Sequence, residues 1–526
     1  MIAKALHPGE VRAALLSAGE VALVDVREQH PFAGGHILLA VHAALSRLEL
    51  DLPRLVPCRE ARLILCDGGE GLVQRAADVA AELGYRRIAV LDGGTPAWRA
   101  AGYRLFTGLN ATGAALAETV DLVCRPPQMA PAELAQRRSA GEAVVVLDSR
   151  PWEEYRDRHV PGAIACPGGE LVYRAPTLVP DPETTVVVNC AGRSRSIFGA
   201  QSLINAGLPN PVYALAQGTH GWALAGLDLD RGSGPRADGA PGGRADPRVR
   251  QAAVALARAC GTTVIDGETL RTWCREREQR TLYLLDVRSP EEYAAGHVPG
   301  ALCAPGGQLV ECADDWVGVR GGRIVLLDDD GVRAPMAAGW MRQLGYPVVA
   351  VLDDPGAAAG ASGSPCWTIP PMPGVPMLEP GFLEPGDVLL ELSPGVSFVR
   401  CHARGALWAL RARLGQVQGG LPGGRLVVMD DAGGILAGRA VKELRAAGRS
   451  DACCLPGGLE ALRATGHALA SGREGMLHAM DDCHFLPADM VEDPMAEAAA
   501  YLAWQADLVR QVAEDGLLAF APHRPH

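Results

Sequence analysis

One pattern recurs four times along the 526 residues, and it constrains the fold more than any other feature of the chain. Each copy is an apolar strand that ends in an acidic residue, followed by a short polar helix, a turn and a second strand. The acidic residues at the four strand ends are Asp25, Asp148, Asp286 and Glu391. Such self-similarity indicates a repeated structural unit, and the chain is in any case too long for one ordinary core.

A further apolar strand in each copy leads into a helix that ends at a glycine. These glycines are Gly84, Gly207, Gly345 and Gly448, and glycine after a helix is the expected left-handed stop. Short strands that alternate with helices predict a mostly parallel sheet covered on both faces. The repeats therefore predict an α/β protein, with its active groups at the carboxyl ends of the strands.

The repeats and the stretches between them divide the chain into five parts. We predict domains at 1–108, 122–230, 248–356 and 380–472, and a helical tail at 476–526 that fits no repeat. Glycine- and proline-rich stretches at 231–243 and 355–380 are typical of flexible linkers. In the tail, residues 494–508 have the pattern of an amphipathic helix, which we expect to dock on a neighbouring domain rather than to bind a partner.

A single thiol stands where a strand of the second repeat meets its helix. After the valines at 186–188 come Cys190, Ala191, Gly192, Arg193, Ser194, Arg195 and Ser196. Backbone N–H groups and the dipole at a helix N-terminus favour negative charge, and the two arginines add positive charge. Such surroundings lower the pKa of a thiol. We therefore predict a nucleophilic Cys190 whose pKa is brought from about 8.5 towards 7.

Composition excludes several other classes of protein. The net charge of -12 and the pI of about 5.6 argue against a nucleic-acid surface. No apolar run reaches the roughly 18–20 residues of a membrane span, and the N-terminus lacks the apolar core of a signal peptide, so we expect a cytoplasmic protein. The 14 cysteines are scattered without a C-x-x-C pair, so neither a metal site nor a disulfide framework is expected.

The signatures of the second repeat resemble the rhodanese (thiosulfate sulfurtransferase) family. They are Asp-Ser-Arg at 148–150, Glu-Glu-Tyr at 153–155, His-Val-Pro-Gly-Ala at 159–163, the loop at 190–195 and Gly-Thr-His-Gly-Trp at 218–222. The whole layout is similar to the four-domain bacterial members of the family. The resemblance implies four tandem α/β domains, each a mostly parallel five-stranded sheet flanked by helices, and chemistry in which the cysteine carries a sulfane sulfur.

The resemblance also implies a reaction and the residues that perform it. The Cys190 thiolate attacks a small anionic donor such as thiosulfate, and the resulting persulfide passes its sulfur to cyanide or a thiol, without cofactor or metal. Residues 191–196 bind the substrate, whereas Asp148, Arg150 and His159 support the loop. Glu154 stands where two-domain members carry a substrate-contacting arginine, which puts thiosulfate in doubt as the physiological donor. Arg174 could reach the pocket, although a solvated position is favoured.

The other three repeats lack this nucleophile. Counting back from the glycine that ends each helix places Asp67, Asp328 and Asp431 at the position of Cys190. An aspartate cannot form a persulfide, and its charge repels anions, so we predict that these domains are inactive. Cys66 falls one place early, opposite Asn189, and we expect it at the end of a strand; a one-residue shift of the loop would make it reactive.

Two alternatives remain open at this point. The same fold serves phosphatases, but these carry a His-Cys pair, five residues and an arginine, whereas here Asn189 precedes the cysteine and Ser196 stands at the sixth place. The second alternative is a persulfide carrier or scaffold that hands sulfur to a partner protein. Turnover of thiosulfate, as opposed to uptake of one sulfur per chain, distinguishes an enzyme from such a carrier.

Overall fold

The computed structural model describes residues 3–237, 245–353, 360–363, 374–484, 490 and 493–524. Part of the first predicted linker, at 238–243, and most of the second, at 355–359 and 364–373, lie outside the described residues. Four open sheets follow one another along the chain, so the predicted α/β architecture is confirmed. None of the described helices is both long enough and apolar enough to cross a membrane.

The first domain is built on five parallel strands. Its strands and helices are β1 (Lys4–Leu6), α1 (Pro8–Leu15), β2 (Val21–Asp25), α2 (Gln29–Ala33), β3 (Ala40–His42), α3 (Leu48–Leu55), β4 (Arg62–Cys66), α4 (Leu72–Glu82), β5 (Ile88–Leu91) and α5 (Gly94–Ala100). The strand order is β1-β5-β4-β2-β3. Helix α6 (Ala111–Cys124) then leads into the second domain.

The second and third domains repeat this topology strand for strand. The second contains β6 (Gln128–Met129), α7 (Pro131–Ser139), β7 (Val144–Asp148), α8 (Trp152–Asp157), β8 (Ile164–Ala165), α9 (Leu171–Leu178), β9 (Thr185–Asn189), α10 (Ser194–Asn205), β10 (Val212–Leu215) and α11 (Gly218–Leu224). The third contains α12 (Pro247–Ala259), β11 (Thr263–Ile265), α13 (Gly267–Arg275), β12 (Leu282–Asp286), α14 (Pro290–Ala295), β13 (Leu302–Cys303), α15 (Gly306–Glu311), β14 (Arg323–Leu327), α16 (Arg333–Gln343) and β15 (Val349–Leu352). The orders are β6-β10-β9-β7-β8 and β11-β15-β14-β12-β13.

The fourth domain departs from the expected five strands. It contains β16 (Val388–Glu391), α17 (Gly395–Arg400), β17 (His402–Ala403), β18 (Leu407–Trp408), α18 (Leu414–Val417), β19 (Leu426–Met429), α19 (Ile435–Ala446), β20 (Cys453–Cys454), α20 (Gly458–Ala464) and β21 (Leu469–Ala470). Within the described residues its parallel sheet has four strands, β18-β16-β19-β20. An isolated parallel bridge from Met377 to Cys454 stands where the other domains have their first strand.

The strand registers define which residues are equivalent in the four domains. The acidic end of one central strand pairs with the last residue of the next in all four sheets: Asp25 with Cys66, Asp148 with Asn189, Asp286 with Leu327, and Glu391 with Met429. The residues that follow are Asp67, Cys190, Asp328 and Asp430. The prediction of Asp431 was therefore wrong by one place, because the fourth domain has one residue more between its loop and Gly448.

The second and third domains meet through their equivalent Pro-Gly-Gly segments. A Cβ atom on Gly169 would lie 2.8 Å from the backbone nitrogen of Gly307, and one on Gly307 would lie 2.9 Å from the nitrogen of Gly169. Because real Cβ atoms do not approach backbone so closely, any side chain at these two positions would push the domains apart. Glycine at both places therefore permits the close contact.

A buried guanidinium crosses the same boundary. Arg333, 1% exposed, donates to Glu170 of the second domain at 2.8 Å and to Glu292 at 2.6 Å and Asp330 at 2.6 Å of its own domain. In the fourth domain Arg411, also 1% exposed, reaches Glu49 of the first domain at 2.8 Å. Buried charges at both boundaries are thus paired, as burial requires.

The C-terminal helix α21 (Pro494–Asp515) returns to the first half of the chain. Its Leu508 and Val512 are buried in the apolar cluster of the first domain, together with Trp98 and Phe106. The predicted tail helix therefore docks on a neighbouring domain, as expected, and it is longer than the sequence pattern indicated.

Replacement of Arg333 by Met tests how much the boundary depends on its charges. The variant leaves Glu170 and Asp330 buried with fewer partners, and such a loss costs about 3–5 kcal/mol. We expect a clearly lower thermal unfolding midpoint in scanning calorimetry. The matched control is Arg510→Met, because Arg510 is 59% exposed in a surface ion pair and its loss costs at most about 1 kcal/mol. Equal midpoints for the two variants would contradict this assignment.

Candidate functional site

Cys190 lies directly after strand β9 and before helix α10, with 1% of its surface exposed. Its carbonyl oxygen accepts hydrogen bonds from the backbone nitrogen of Thr219 at 2.8 Å and from the Thr219 hydroxyl at 3.0 Å. A Cβ atom on Gly218, whose φ is +54°, would lie 2.3 Å from that oxygen. The start of helix α11 therefore holds the cysteine by close backbone contact, which requires glycine at position 218.

A buried hydrogen-bonded network supports the strand ends beneath the loop. The Arg150 guanidinium pairs with the Asp148 carboxylate at 2.8 and 2.9 Å, and both side chains are nearly fully buried. The amide of Asn189 donates to Asp148 at 2.8 Å and to the Thr219 hydroxyl at 3.1 Å. Because Asn189 immediately precedes the cysteine, this network connects the Asp-Arg pair to the loop.

His159 lies in the turn that faces the last segment of the domain. Its ring stacks on Tyr155 with centroids 4.0 Å apart, and its Nδ1 lies 2.9 Å from the Tyr155 carbonyl oxygen. Its backbone nitrogen donates to the carbonyl of Asp230 at 2.8 Å. His159 is therefore a satisfied, buried side chain within the turn.

The four equivalent loops present a side chain to backbone N–H groups at the start of the following helix. In the first and third domains, the donor is the backbone nitrogen of the residue six places after the aspartate. Val73 donates to Asp67 at 3.2 Å, and Ala334 donates to Asp328 at 2.8 Å. In the fourth domain the donor is one place later, with Ala437 donating to Asp430 at 2.7 Å. In the second domain Ser196 occupies the six-place position, where it lowers the pKa of the Cys190 thiol, and its hydroxyl donates to the Arg193 carbonyl at 2.9 Å.

The charge of the predicted catalytic loop (residues 190–196, hereafter the catalytic loop) differs from the prediction. Arg193 turns to helix α6, where it pairs with Glu118 at 2.7 Å and with Asp121 at 2.8 Å. Arg195 has 10% of its side chain exposed and pairs with Glu154 at 2.8 Å and with Glu311 at 3.0 Å. The expected positive loop is therefore wrong, because four carboxylates, three of them from outside the second sheet and its flanking helices, neutralise its two arginines.

The burial of Cys190 opposes the predicted thiol pKa near 7. Burial raises the pKa of the Cys190 thiol above its usual value, and this effect outweighs the opposing effects of Arg195 and of hydrogen bonds with Ser196. The surrounding carboxylates contribute in the same direction, since Glu311 also raises this pKa. A sequence indicates the charges near a thiol but not how much water is removed from it.

Helix α21 covers the catalytic loop, a contact that the sequence did not indicate. A Cβ atom on Gly192 would lie 2.9 Å from Cε1 of Tyr501 and 3.5 Å from Oε1 of Gln505. The Gln505 side chain donates from Nε2 to the Ser194 hydroxyl at 2.8 Å. The Tyr501 ring also meets His220 edge-on, with centroids 6.0 Å apart. Burial lowers the pKa of His220 to about 4, so this imidazole is neutral at pH 7.

Two further residues singled out in the sequence lie outside this loop. Cys66 is the last residue of β4 and is fully buried, so its predicted place at a strand end is confirmed, and burial raises its thiol pKa well above the usual value. Arg174 pairs with Glu170 at 2.7 Å and lines a cavity of about 320 Å³ together with Trp152 and Arg236. That cavity lies between the second and third domains.

Comparison with known proteins supports this architecture. The sequence-family model of the rhodanese-like domain matches residues 8–101, 130–225 and 270–354 of this chain. A crystal structure of thiosulfate sulfurtransferase from Pseudomonas aeruginosa is 40% identical, and the match covers 98% of this chain and 99% of that one with a TM-score of 0.94. The fourth domain lies beyond the ranges of the family model but within this structural match.

A curated relative shares a shorter region. An HTH-type transcriptional regulator of Mycobacterium tuberculosis is 39% identical over 102 residues. This region is 19% of the present chain and 44% of the regulator, so the chain spans less than half the length of that relative.

The family follows from the extent of these matches. The three ranges of the family model together cover more than half of the chain, and the structural match extends over nearly all of it. Both support a sulfurtransferase activity. The protein belongs to the rhodanese family.

Proposed function

We propose that the protein transfers sulfane sulfur from thiosulfate or a related donor to cyanide or a thiol through a persulfide on Cys190. The observation that carries this proposal is the difference among the four equivalent loops. Three of them place an aspartate against the backbone donor at the helix N-terminus, and one places a thiol there. A loop that already holds its own carboxylate has no nucleophile, so the second domain is the catalytic one.

The reaction proceeds in two displacements at sulfur. The Cys190 thiolate attacks the outer sulfur of thiosulfate, the sulfur–sulfur bond of the donor breaks, and sulfite leaves with the electron pair. Cyanide or a thiolate then attacks the terminal sulfur of the persulfide, and the Cys190 thiolate is regenerated. The Ser196 hydrogen bonds and the Arg195 guanidinium, both of which favour the thiolate, also suit the negative charge of the persulfide.

The supporting residues act through the loop rather than on the substrate. The Asp148–Arg150 pair and Asn189 hold the strand end, and His159 fixes the neighbouring turn. Residues 191–196 provide the walls of the substrate site. No step of this reaction requires a metal or an organic cofactor.

A persulfide carrier that serves a partner protein is the alternative. The burial of Cys190, with 1% of its surface exposed, favours small acceptors, because a protein acceptor would have to displace helix α21 to bring its own thiol into contact. Sustained turnover of thiosulfate and cyanide supports the enzyme, whereas uptake of a single sulfur per chain supports the carrier.

Replacement of Cys190 by Ser tests the nucleophile. We expect sulfur transfer to fall to the background of the uncatalysed reaction, because a serine hydroxyl cannot form the persulfide. The matched control is Cys66→Ser. Cys66 lies in the first domain at the position equivalent to Asn189, and this variant should retain turnover. The measurement is thiocyanate formation from thiosulfate and cyanide. Appreciable activity in Cys190→Ser, or its loss in Cys66→Ser alone, would contradict the assignment.

The pH dependence of the thiol tests its surroundings. Because burial raises the pKa of Cys190, the thiolate fraction is small at neutral pH and increases as the pH rises past the usual thiol value of about 8.5. We expect the rate of Cys190 alkylation by iodoacetamide to increase through this range with a midpoint above that value. The rate is followed on the Cys190 peptide by mass spectrometry. A midpoint near pH 7 would contradict a thiol whose pKa is raised by burial.

A further inference from the structure

The catalytic loop is covered by a helix from outside the four domains. The ring of Tyr501 lies so close to Gly192 that a Cβ atom there would be 2.9 Å from Cε1. Cys190 itself is 1% exposed, so a substrate needs room beside the loop to reach the sulfur. Glycine at position 192 leaves such room, and the Tyr501 ring occupies it.

Gln505 fixes the helix on the loop, one turn after Tyr501. Its side chain is fully buried, and its Nε2 donates to the Ser194 hydroxyl at 2.8 Å. Its Oε1 is buried without a hydrogen-bond partner among the described residues. This oxygen lies on the Gly192 side, 3.5 Å from the place of a Cβ atom there. A buried acceptor without a partner is costly, so the hydrogen bond to Ser194 is what holds this side chain on the loop.

The two ends of helix α21 differ in how firmly they are held. Towards the C-terminus, Leu508 and Val512 pack in the apolar cluster of the first domain, and the Trp504 indole donates to the Thr107 carbonyl at 2.9 Å. Towards the N-terminus, Met495 and Glu497 are exposed. Tyr501 lies between these parts, so the anchored half positions its ring over the loop.

We propose that Tyr501 is a specificity-determining residue of the Cys190 site, which admits small sulfur donors and acceptors and excludes bulky ones. Its ring fills the space beside Gly192 that a branched or peptide-sized thiol would need. Gln505 is a positioning residue that holds the ring there through Ser194. The selection of substrates during turnover rests on the proposed function. Access of reagents to the Cys190 thiol can be measured without sulfur transfer.

Access is measured with two thiol reagents of different size on the full-length protein. Methyl methanethiosulfonate is small, and 5,5′-dithiobis(2-nitrobenzoate) is bulky and aromatic. We expect Tyr501→Ala to increase the rate of the bulky reagent at Cys190 by about tenfold or more relative to that of the small one, on the scale by which pocket shape discriminates substrates. Mass spectrometry of the Cys190 peptide separates this thiol from the other cysteines.

Control variants separate the ring from the helix. Tyr501→Phe retains the ring and should keep the wild-type ratio of the two rates, and Arg510→Ala, on the exposed face of the same helix, should do so as well. Gln505→Leu removes the hydrogen bond to Ser194 and should shift the ratio in the direction of Tyr501→Ala, which keeps the test valid if that variant does not fold. An unchanged ratio in both Tyr501→Ala and Gln505→Leu would overturn the proposal.

Turnover assays then distinguish this inference from the proposed function. Tyr501→Ala should increase kcat/KM for glutathione as acceptor relative to that for cyanide. If the reagent ratio changes but neither wild type nor variant turns over any donor, the proposed function fails and the access proposal stands. If the wild type turns over and both ratios are unchanged, the access proposal fails alone.

Discussion

The guanidinium of Arg195 connects the catalytic loop to the rest of the molecule. It belongs to the loop of the second domain, yet its partners are Glu154 of the same domain and Glu311 of the third. In a nearly buried position this charge cannot be left unpaired, so the third domain must lie where Glu311 can reach it. The same guanidinium is the charged group that favours the Cys190 thiolate. Domain packing and nucleophile are therefore coupled through one side chain.

Two of the domains with an aspartate at the position of Cys190, the first and the third, contribute contacts that support the loop of the second domain. Their own loops are closed by aspartates that accept the backbone hydrogen bonds of the helix N-terminus, which stabilises the loops without chemistry. Their surfaces supply Glu311 and, through the first domain, the anchor of helix α21. Domains with an aspartate in this loop thus serve as structural units that position the Cys190 loop.

Much of this arrangement could be predicted from local patterns, and the rest depends on long-range contacts. Valine runs, terminal acids and helix-ending glycines identify the repeats, and they place Cys190 and Cys66 correctly because strand ends are defined within a few residues. The count to Asp431 failed because it assumed equal spacing before each helix-ending glycine, whereas the fourth domain has one residue more. The neutralised charge of the loop could not be foreseen, since Glu118, Asp121 and Glu311 lie far from it in the chain. Burial, which raises the thiol pKa, likewise arises only when all the parts have packed.

The most direct test is to find which cysteine carries the transferred sulfur. The full-length protein is incubated with thiosulfate or an organic thiosulfonate, and its thiols and persulfides are then trapped by alkylation. The mass of each cysteine-containing peptide is measured by mass spectrometry. Of the four equivalent loops, one presents a thiol at the start of its helix and three present an aspartate. We therefore predict one added sulfur atom on the Cys190 peptide and none on the Cys66 peptide. Sulfur found on Cys66 with Cys190 unmodified, or no sulfur on Cys190 with either donor, would contradict a single catalytic domain built on Cys190.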